Sequence, residues 1–528
     1  MRSALVASIA LFCCGCLGAN TTDIAEVPAN VELPAPEPEP TPQEKEPAAE
    51  EKEPTGEVVQ GKRNVAPGNR HPHDIGTRQR GVDWPTFLGP TGDSKSTETG
   101  LNTDWRNNRP KIVWRKELGT GYGIGSISRG RYYQFDRFEN KATAYCLNAE
   151  TGAELWTYEY ATEYEDLYGY NNGPRCSAVV DDDRVYFYGA GGMLFCLNAY
   201  SGDLVWKVDT AKRFGVIQNF FGVGSTPAID GDLLIVMVGG SPPEAQDIGP
   251  GQLDRIDGNG TGIVAFDKMT GEVKYKSSDE LASYASMKIA TIKGERFGLA
   301  FMRGGLVAFH PQTGEQDFHF KWRDKSLESV NASTPVVVGD RVLISETYGP
   351  GGALLKVGRG KHEVVWSDEA RRREKSTQAH WMTPVHVDGF VYVSSGRHTY
   401  SAELRCVEWK TGKVTWTEPD ITRSSLLYVD GHLVCLNEYG TLLLLKANPK
   451  KLDLVGGLAL KDEDGRPSLQ FPCWAAPIIS HGLMYVRGEG QLVCLEVIPD
   501  KDDQKKQSPD EGAAEEGAQE AEEGARGK

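Results

Sequence analysis

Five stretches of this 528-residue chain share one pattern of apolar and polar positions. They are AYCLNAETGAELW (144–156), LFCLNAYSGDLVW (194–206), IVAFDKMTGEVKY (263–275), LVAFHPQTGEQDF (306–318) and LRCVEWKTGKVTW (404–416). Each opens on a short apolar strand with spacing of the Leu-x-Cys-x kind, breaks at a polar Thr/Ser-Gly turn, and resumes in a second strand toward an aromatic four residues after the glycine. Period-two alternation predicts half-buried strands. Glycine supplies the positive φ that a tight turn between twisted strands requires. Each unit is therefore a predicted β-hairpin. A hairpin alone is unstable in water. Repeated units that bury their faces on one another around a ring are the logic of a β-propeller, with the aromatic filling the gap between neighbouring sheets.

Outer-strand aromatics are Trp114, Trp156, Trp206, Tyr275, Phe318, Trp366 and Trp416, seven in all. An eighth unit, 431–458, is degenerate, with Pro449-Lys450-Lys451 where the Thr-Gly turn belongs, and the unit around Gly360 is irregular. The pattern predicts an all-β, eight-bladed propeller of four-stranded antiparallel blades, with seven blades as the fallback. KIVWRKEL (111–118) reads as an outer strand without partners, whereas 473–498 supplies inner strands without an outer one. Each end has what the other lacks, so the N-terminal strand is expected to close the last blade and leave no exposed edge.

The flanks differ in composition. Residues 1–16 hold a short apolar run ending Cys13-Cys14-Gly15-Cys16 and have the form of an export signal. Gly15-Cys16 resembles the end of a bacterial lipobox, which makes Cys16 the candidate lipidation site, although Cys13 stands where Leu is usual. The rival reading is an ordinary signal peptide cut near Ala19. Residues 17–80, rich in Pro and Glu, are expected to form a disordered acidic stalk. The propeller is assigned to 81–498, with order beginning near DWPTFLGP (83–90), and 499–528 is expected to be a disordered acidic tail. The net charge of −16 is concentrated in these flanks, so the propeller is nearly neutral and has no basic stripe for nucleic acid.

Cys146, Cys196, Cys406 and Cys494 share one strand position of the repeat, where a small buried hydrophobe suffices; reduced core cysteine is the expectation for them. Asp247, Asp254, Asp257 and Asn259 in the 239–262 insertion have oxygen ligands but no calcium-loop spacing. No GxSxG, HExxH or phosphate-binding GxxxxGK[ST] motif is present. The crossings between blades are unusually aromatic and polar, at 163–176, 216–227, 280–288, 376–384 and 471–477. Tyr168, Tyr170, Phe220, His380, Trp381 and Trp474 are candidate rim residues, with Asp166, Arg175 and Asn219 as polar anchors. These aromatics either close the channel by packing or offer a surface for stacking and peptide binding.

The repeats resemble those of PQQ-type propellers, shared by quinoprotein dehydrogenases and BamB-type lipoproteins, and DWPTFLGP resembles the opening motif of bacterial PQQ-like repeat proteins. For a quinoprotein dehydrogenase the resemblance implies vicinal cysteines, a calcium-binding acid and amide, and a catalytic Asp. The only adjacent cysteines are Cys13-Cys14 in the leader, and no calcium set can be assigned. PQQ and calcium are therefore disfavoured, and no cofactor or metal is expected. The expected function is non-catalytic: a monomeric, membrane-tethered, extracytoplasmic propeller that binds protein or peptide partners, as a BamB-like scaffold in outer-membrane protein assembly. Its expected place is the outer membrane, facing the periplasm. The alternatives are a PQQ-dependent oxidoreductase with divergent ligands and a small-molecule or glycan sensor.

Overall fold

All five hairpins form where the alternation places them. The computed structural model describes residues 56–61, 73–372, 374–462 and 464–500 and sets these hairpins into eight sheets of antiparallel strands. Blades 1 to 7 follow in chain order at 126–161, 179–209, 228–277, 288–321, 336–367, 385–418 and 424–459. Blade 8 takes three strands from 478–496 and its outer strand from Lys111–Glu117, which pairs antiparallel with Gln491–Glu496. The ring closes as its two incomplete ends predict, and the count is eight.

The fixed aromatic offset has a local cause. On the outer strand the aromatic pairs with a small residue of the third strand: Trp156 with Cys146, Trp206 with Cys196, Tyr275 with Ala265, Trp416 with Cys406. In every blade the ladder slips beside this pair, a bulge that adds twist. Each ring then reaches into the next blade. Trp156 Nε1 donates to the Ala199 carbonyl at 3.1 Å, Trp206 to Lys268 at 3.1 Å, and Trp366 to Trp409 at 2.9 Å. The seven cysteines of the described residues are buried free thiols, four of them at the position facing an aromatic.

Blade 7 departs from this rule. Gly456 occupies the aromatic position, opposite Leu444. Trp105, from the segment before the first blade, fills the slot: a Cβ on Gly456 would lie 3.0 Å from the Trp105 Cβ. The tryptophan is buried in one cluster with Leu444 and Leu458. The missing wedge of the degenerate unit is thus supplied from more than 300 residues away in sequence.

Antiparallel alternation gives the ring two unlike faces. Turns between first and second, and between third and fourth strands, open on one face (the turn face). Second-to-third turns and blade-to-blade crossings open on the other (the crossover face). The 83–98 segment spans the turn face. Trp84 exchanges backbone hydrogen bonds with Ile127 of blade 1, and the Pro85 carbonyl accepts from Val180 of blade 2 at 2.8 Å. Lys288 of blade 4 donates to the Thr91 carbonyl, Ser96 donates to Tyr428 of blade 7, and Glu98 accepts from His481 and Gly482 of blade 8. Blades 4 and 8 lie across the ring from each other, so this segment covers the channel at the turn face.

Order begins earlier than the expected boundary at residue 81. Val59–Gln60 adds a fifth strand to blade 2, pairing with Lys207 and Trp206. Thr77 donates from its amide and hydroxyl to Glu150, and Arg78 pairs with Glu496. The reason is that outer strands leave an open edge, and Val58-Val59 is a β-branched pair within otherwise Pro/Glu-rich sequence. The leader with Cys16, residues 17–55 and 62–72 of the stalk, and the tail from 501 lie outside the described residues.

Candidate binding face

The crossover face brings most of the predicted rim residues together, in two clusters. The first lies over the channel mouth. Trp381, from the crossing into blade 6, and Trp474, from the crossing into blade 8, have ring centroids 4.7 Å apart. Trp381 Nε1 donates to the Trp474 carbonyl at 3.1 Å. Tyr122, from the crossing into blade 1, stands 4.7 Å from Trp474 on the far side. Arg423 lies over both indoles, 4.7 Å from Trp381 and 5.4 Å from Trp474. Its guanidinium is held at 2.6 Å by Glu438, whose side chain is wholly buried. A carboxylate removed from water needs such a partner, and here the pair also fixes the cation between two rings.

His380 continues this arc, 5.0 Å from Trp381 and 5.8 Å from Tyr348, over which Arg397 lies at 4.3 Å. Burial, with the charges of Arg423 and Arg397, pushes the His380 imidazole down to about 3, so it is neutral at physiological pH and a weak base. Burial pushes the Glu346 carboxyl up to about 7. Its oxygens accept from the amides of Tyr348 and Gly349, both at 2.8 Å, and from Ser329 Oγ at 3.0 Å. It therefore fixes the turn that carries Tyr348.

The second cluster is more open. Tyr168 and Tyr170 are 49% and 67% exposed, with ring centroids 6.1 Å apart. Phe221 lies 5.8 Å from Tyr168 and 6.1 Å from Tyr170, and is backed by Tyr284 at 5.4 Å. Phe220 is buried and supports Tyr168 from 5.9 Å. Asp166 and Arg175 bind each other at 2.5 Å, and Arg175 also lies over Tyr122 at 5.6 Å and Tyr164 at 6.0 Å. This ion pair links the two clusters. Asn219 is half-buried, with its Oδ1 turned inward.

Tyr348, Arg397 and Glu438 were not among the predicted rim residues because they sit on second-to-third turns, which share the face with the crossings. The signal was available: Gly-Arg-His-Thr-Tyr (396–400) and Asn-Glu-Tyr-Gly (437–440) are polar, aromatic breaks between apolar strands.

In the 239–262 insertion the four oxygen-bearing residues diverge. Burial alone would raise the Asp254 carboxyl, but hydrogen bonds from Arg303 (2.7 Å) and Arg323 (2.8 Å) outweigh it and hold it low. Asn259 donates to the Phe214 and Ser241 carbonyls, and Asp247 and Asp257 are exposed. Among the described residues, no group of three or more His, Cys, Asp or Glu is placed to hold a metal ion. Burial pushes the Cys176, Cys435 and Cys473 thiols up to about 12.

Comparison with known proteins places this ring in a family. BamB of Shewanella oneidensis, named an outer membrane protein assembly factor, is 20% identical over 411 residues, 74% of this chain and 89% of that protein. Among solved structures, BamB from Moraxella catarrhalis is similar with TM-score 0.48 and 12% identity, over 73% of this chain and 99% of that one. The quinohemoprotein alcohol dehydrogenase of Comamonas testosteroni is similar with TM-score 0.45 and 12% identity, over 79% and 80%. The family model described as outer membrane protein assembly factor BamB matches residues 140–418 and again 313–449. With more than half of its length covered by that model, the chain belongs to the BamB family.

Proposed function

We propose that this chain acts without catalysis, as an extracytoplasmic scaffold whose crossover face binds a protein or peptide partner in outer-membrane protein assembly. The observation that carries the reading is the unequal pair of faces. The turn face is spanned by the 83–98 segment, whereas the crossover face presents Tyr168 and Tyr170 to solvent and carries the exposed Arg397, whose guanidinium lies over Tyr348. Rigid amphipathic rings next to a guanidinium are the chemistry of protein-binding hot spots. The fixed, half-buried arc of Trp381, Trp474 and Tyr122 gives these groups a firm base.

The reading includes no cofactor. A lipid on Cys16 would tether the propeller to the outer membrane facing the periplasm, with the acidic stalk as spacer. Cross-linking in intact cells, followed by capture of the tagged protein, tests the reading. Components of the outer-membrane assembly machinery should be recovered with the native chain and lost with Tyr168→Ser/Tyr170→Ser. Equal recovery with both chains would remove the crossover face from the account.

A further inference from the structure

His481 is clasped between blade 8 and the start of the segment that spans the turn face. It sits in the turn between the strands Ile478–Ser480 and Leu483–Gly488. Gly81 passes so close that a Cβ there would lie 2.4 Å from His481 Cα. Glu98, at the far end of the segment, accepts from the His481 and Gly482 amides at 2.8 and 2.7 Å. Ser480 Oγ donates to the Val82 carbonyl at 2.9 Å. These contacts hold the imidazole against residues 80–83.

The two ring nitrogens have the same need. Nδ1 lies 3.1 Å from the Arg80 carbonyl oxygen, and Nε2 lies 3.2 Å from Asp83 Oδ1. A carbonyl and a carboxylate both only accept. A neutral imidazole has one N–H, so either tautomer satisfies one oxygen and turns a lone pair toward the other. The imidazolium donates to both. By contrast His432, at the corresponding turn of blade 7, faces one acceptor among the described residues, the Asp430 carbonyl at 2.7 Å from Nδ1.

The surrounding charges favour the same state. Burial alone would raise the Asp83 carboxyl, but hydrogen bonds from His481, the Arg129 amide and Ser128 Oγ outweigh it and hold it low. The hydrogen bond to Asp83 raises the His481 imidazole above its ordinary 6.5 against the opposing effect of burial, and the Glu98 charge adds to the rise. Arg78 and Arg80 approach from the chain leading to the segment. Arg78 is neutralised by Glu496 of blade 8, and its amide donates to Glu150 of blade 1.

We propose that His481 is a pH-responsive clip at the entry of the turn-face segment. As imidazolium it ties both Arg80 and Asp83 to blade 8. Once neutral it lets go of one of them, and residues 79–83 loosen against the ring. The grip is complete below 6.5, where folded and unfolded chains both hold the proton, and is lost as the pH rises through the raised folded-state value. The inference is independent of the partner-binding face.

The test follows the imidazole signals of the full chain, isotope-labelled at histidine, by NMR across this pH range, with His481→Asn identifying the His481 signal. His481 should titrate above 6.5, and Asp83→Asn should bring its midpoint down. Hydrogen exchange of residues 76–83, corrected for its intrinsic acceleration with pH, should lose protection along the same titration. Asp83→Asn keeps an oxygen for Arg129 and Ser128, and its melting temperature reports on the fold. The titration and exchange of the native chain decide the matter even without the variant. A native midpoint at or below 6.5, a midpoint that Asp83→Asn leaves in place, or protection that does not follow the titration would each overturn the proposal.

Discussion

Trp114 and Gly152 meet across the seam where the ring closes. Trp114 Nε1 donates to the Ala149 carbonyl at 2.9 Å, and a Cβ on Gly152 would lie 2.8 Å from Trp114 Cδ2. Gly152 also has φ +73°, so it is required both by its conformation and by the ring against it. Gly389, with φ +85° and no neighbouring atom within 4 Å of such a Cβ, has only the first requirement. Gly152→Ala should therefore destabilise more than Gly389→Ala, by about 1–3 kcal/mol, the usual cost of overpacking. Chemical unfolding of the two variants measures the difference.

Closure itself is testable by truncation. A chain beginning at Gly119 lacks the outer strand of blade 8 with Trp114, Trp105, which fills the blade 7 slot, and the 83–98 segment that spans the turn face. Losing one buried aromatic typically costs about 3–5 kcal/mol, against roughly 5–15 kcal/mol for a whole domain. That chain should aggregate or melt far below one beginning at Gly81. The Gly81 chain should melt only slightly below the full chain, having lost the short Val59–Gln60 strand and the Thr77 and Arg78 contacts to blades 1 and 8.

Much of this was legible because the repeat writes its packing into local sequence. Glycine, the aromatic four residues on, and the small residue facing it all lie within one hairpin. What escaped were relationships between distant residues. Trp105 looks like an isolated tryptophan until Gly456 is seen without a side chain at its aromatic position. Residues 56–61 looked like stalk, because an unpaired blade edge is a property of the ring. At the candidate face the crossings were readable as aromatic loops. The pairing of Asp166 with Arg175, and of Arg423 with Glu438, depends on loop conformations that no periodicity encodes.

Glu346 should withdraw stability as the pH rises from about 4.5 to above 7, whereas His380, held down to about 3, adds stability as the pH rises toward 6.5. Burial lifts the folded-state value of Glu346 from 4.5 to about 7. Below that window both folded and unfolded chains hold the proton, and the contribution is complete. Within it the unfolded chain releases the proton while the folded chain keeps it, so stability is lost as pH increases. The loss is on the order of 3 kcal/mol. The melting temperature of Glu346→Gln, taken relative to that of the native chain, should rise as the pH is raised from 4.5 to 8.

Cys16→Ser should release the protein from membranes, since the thiol of Cys16 is the proposed lipid attachment point. Fractionation followed by a carbonate wash reads the result. A variant that still pellets with membranes would contradict the anchor.

The most direct measurement compares the two faces. A photo-cross-linking amino acid at Tyr170, exposed on the crossover face, is set against one at Tyr200, 57% exposed on the turn face. Activated in intact cells, Tyr170→photo-cross-linker should give a discrete adduct with an outer-membrane assembly protein, and the Tyr200 position none. An adduct from Tyr200 alone, or none from either position, would contradict the claim that the crossover face is where this propeller binds its partner.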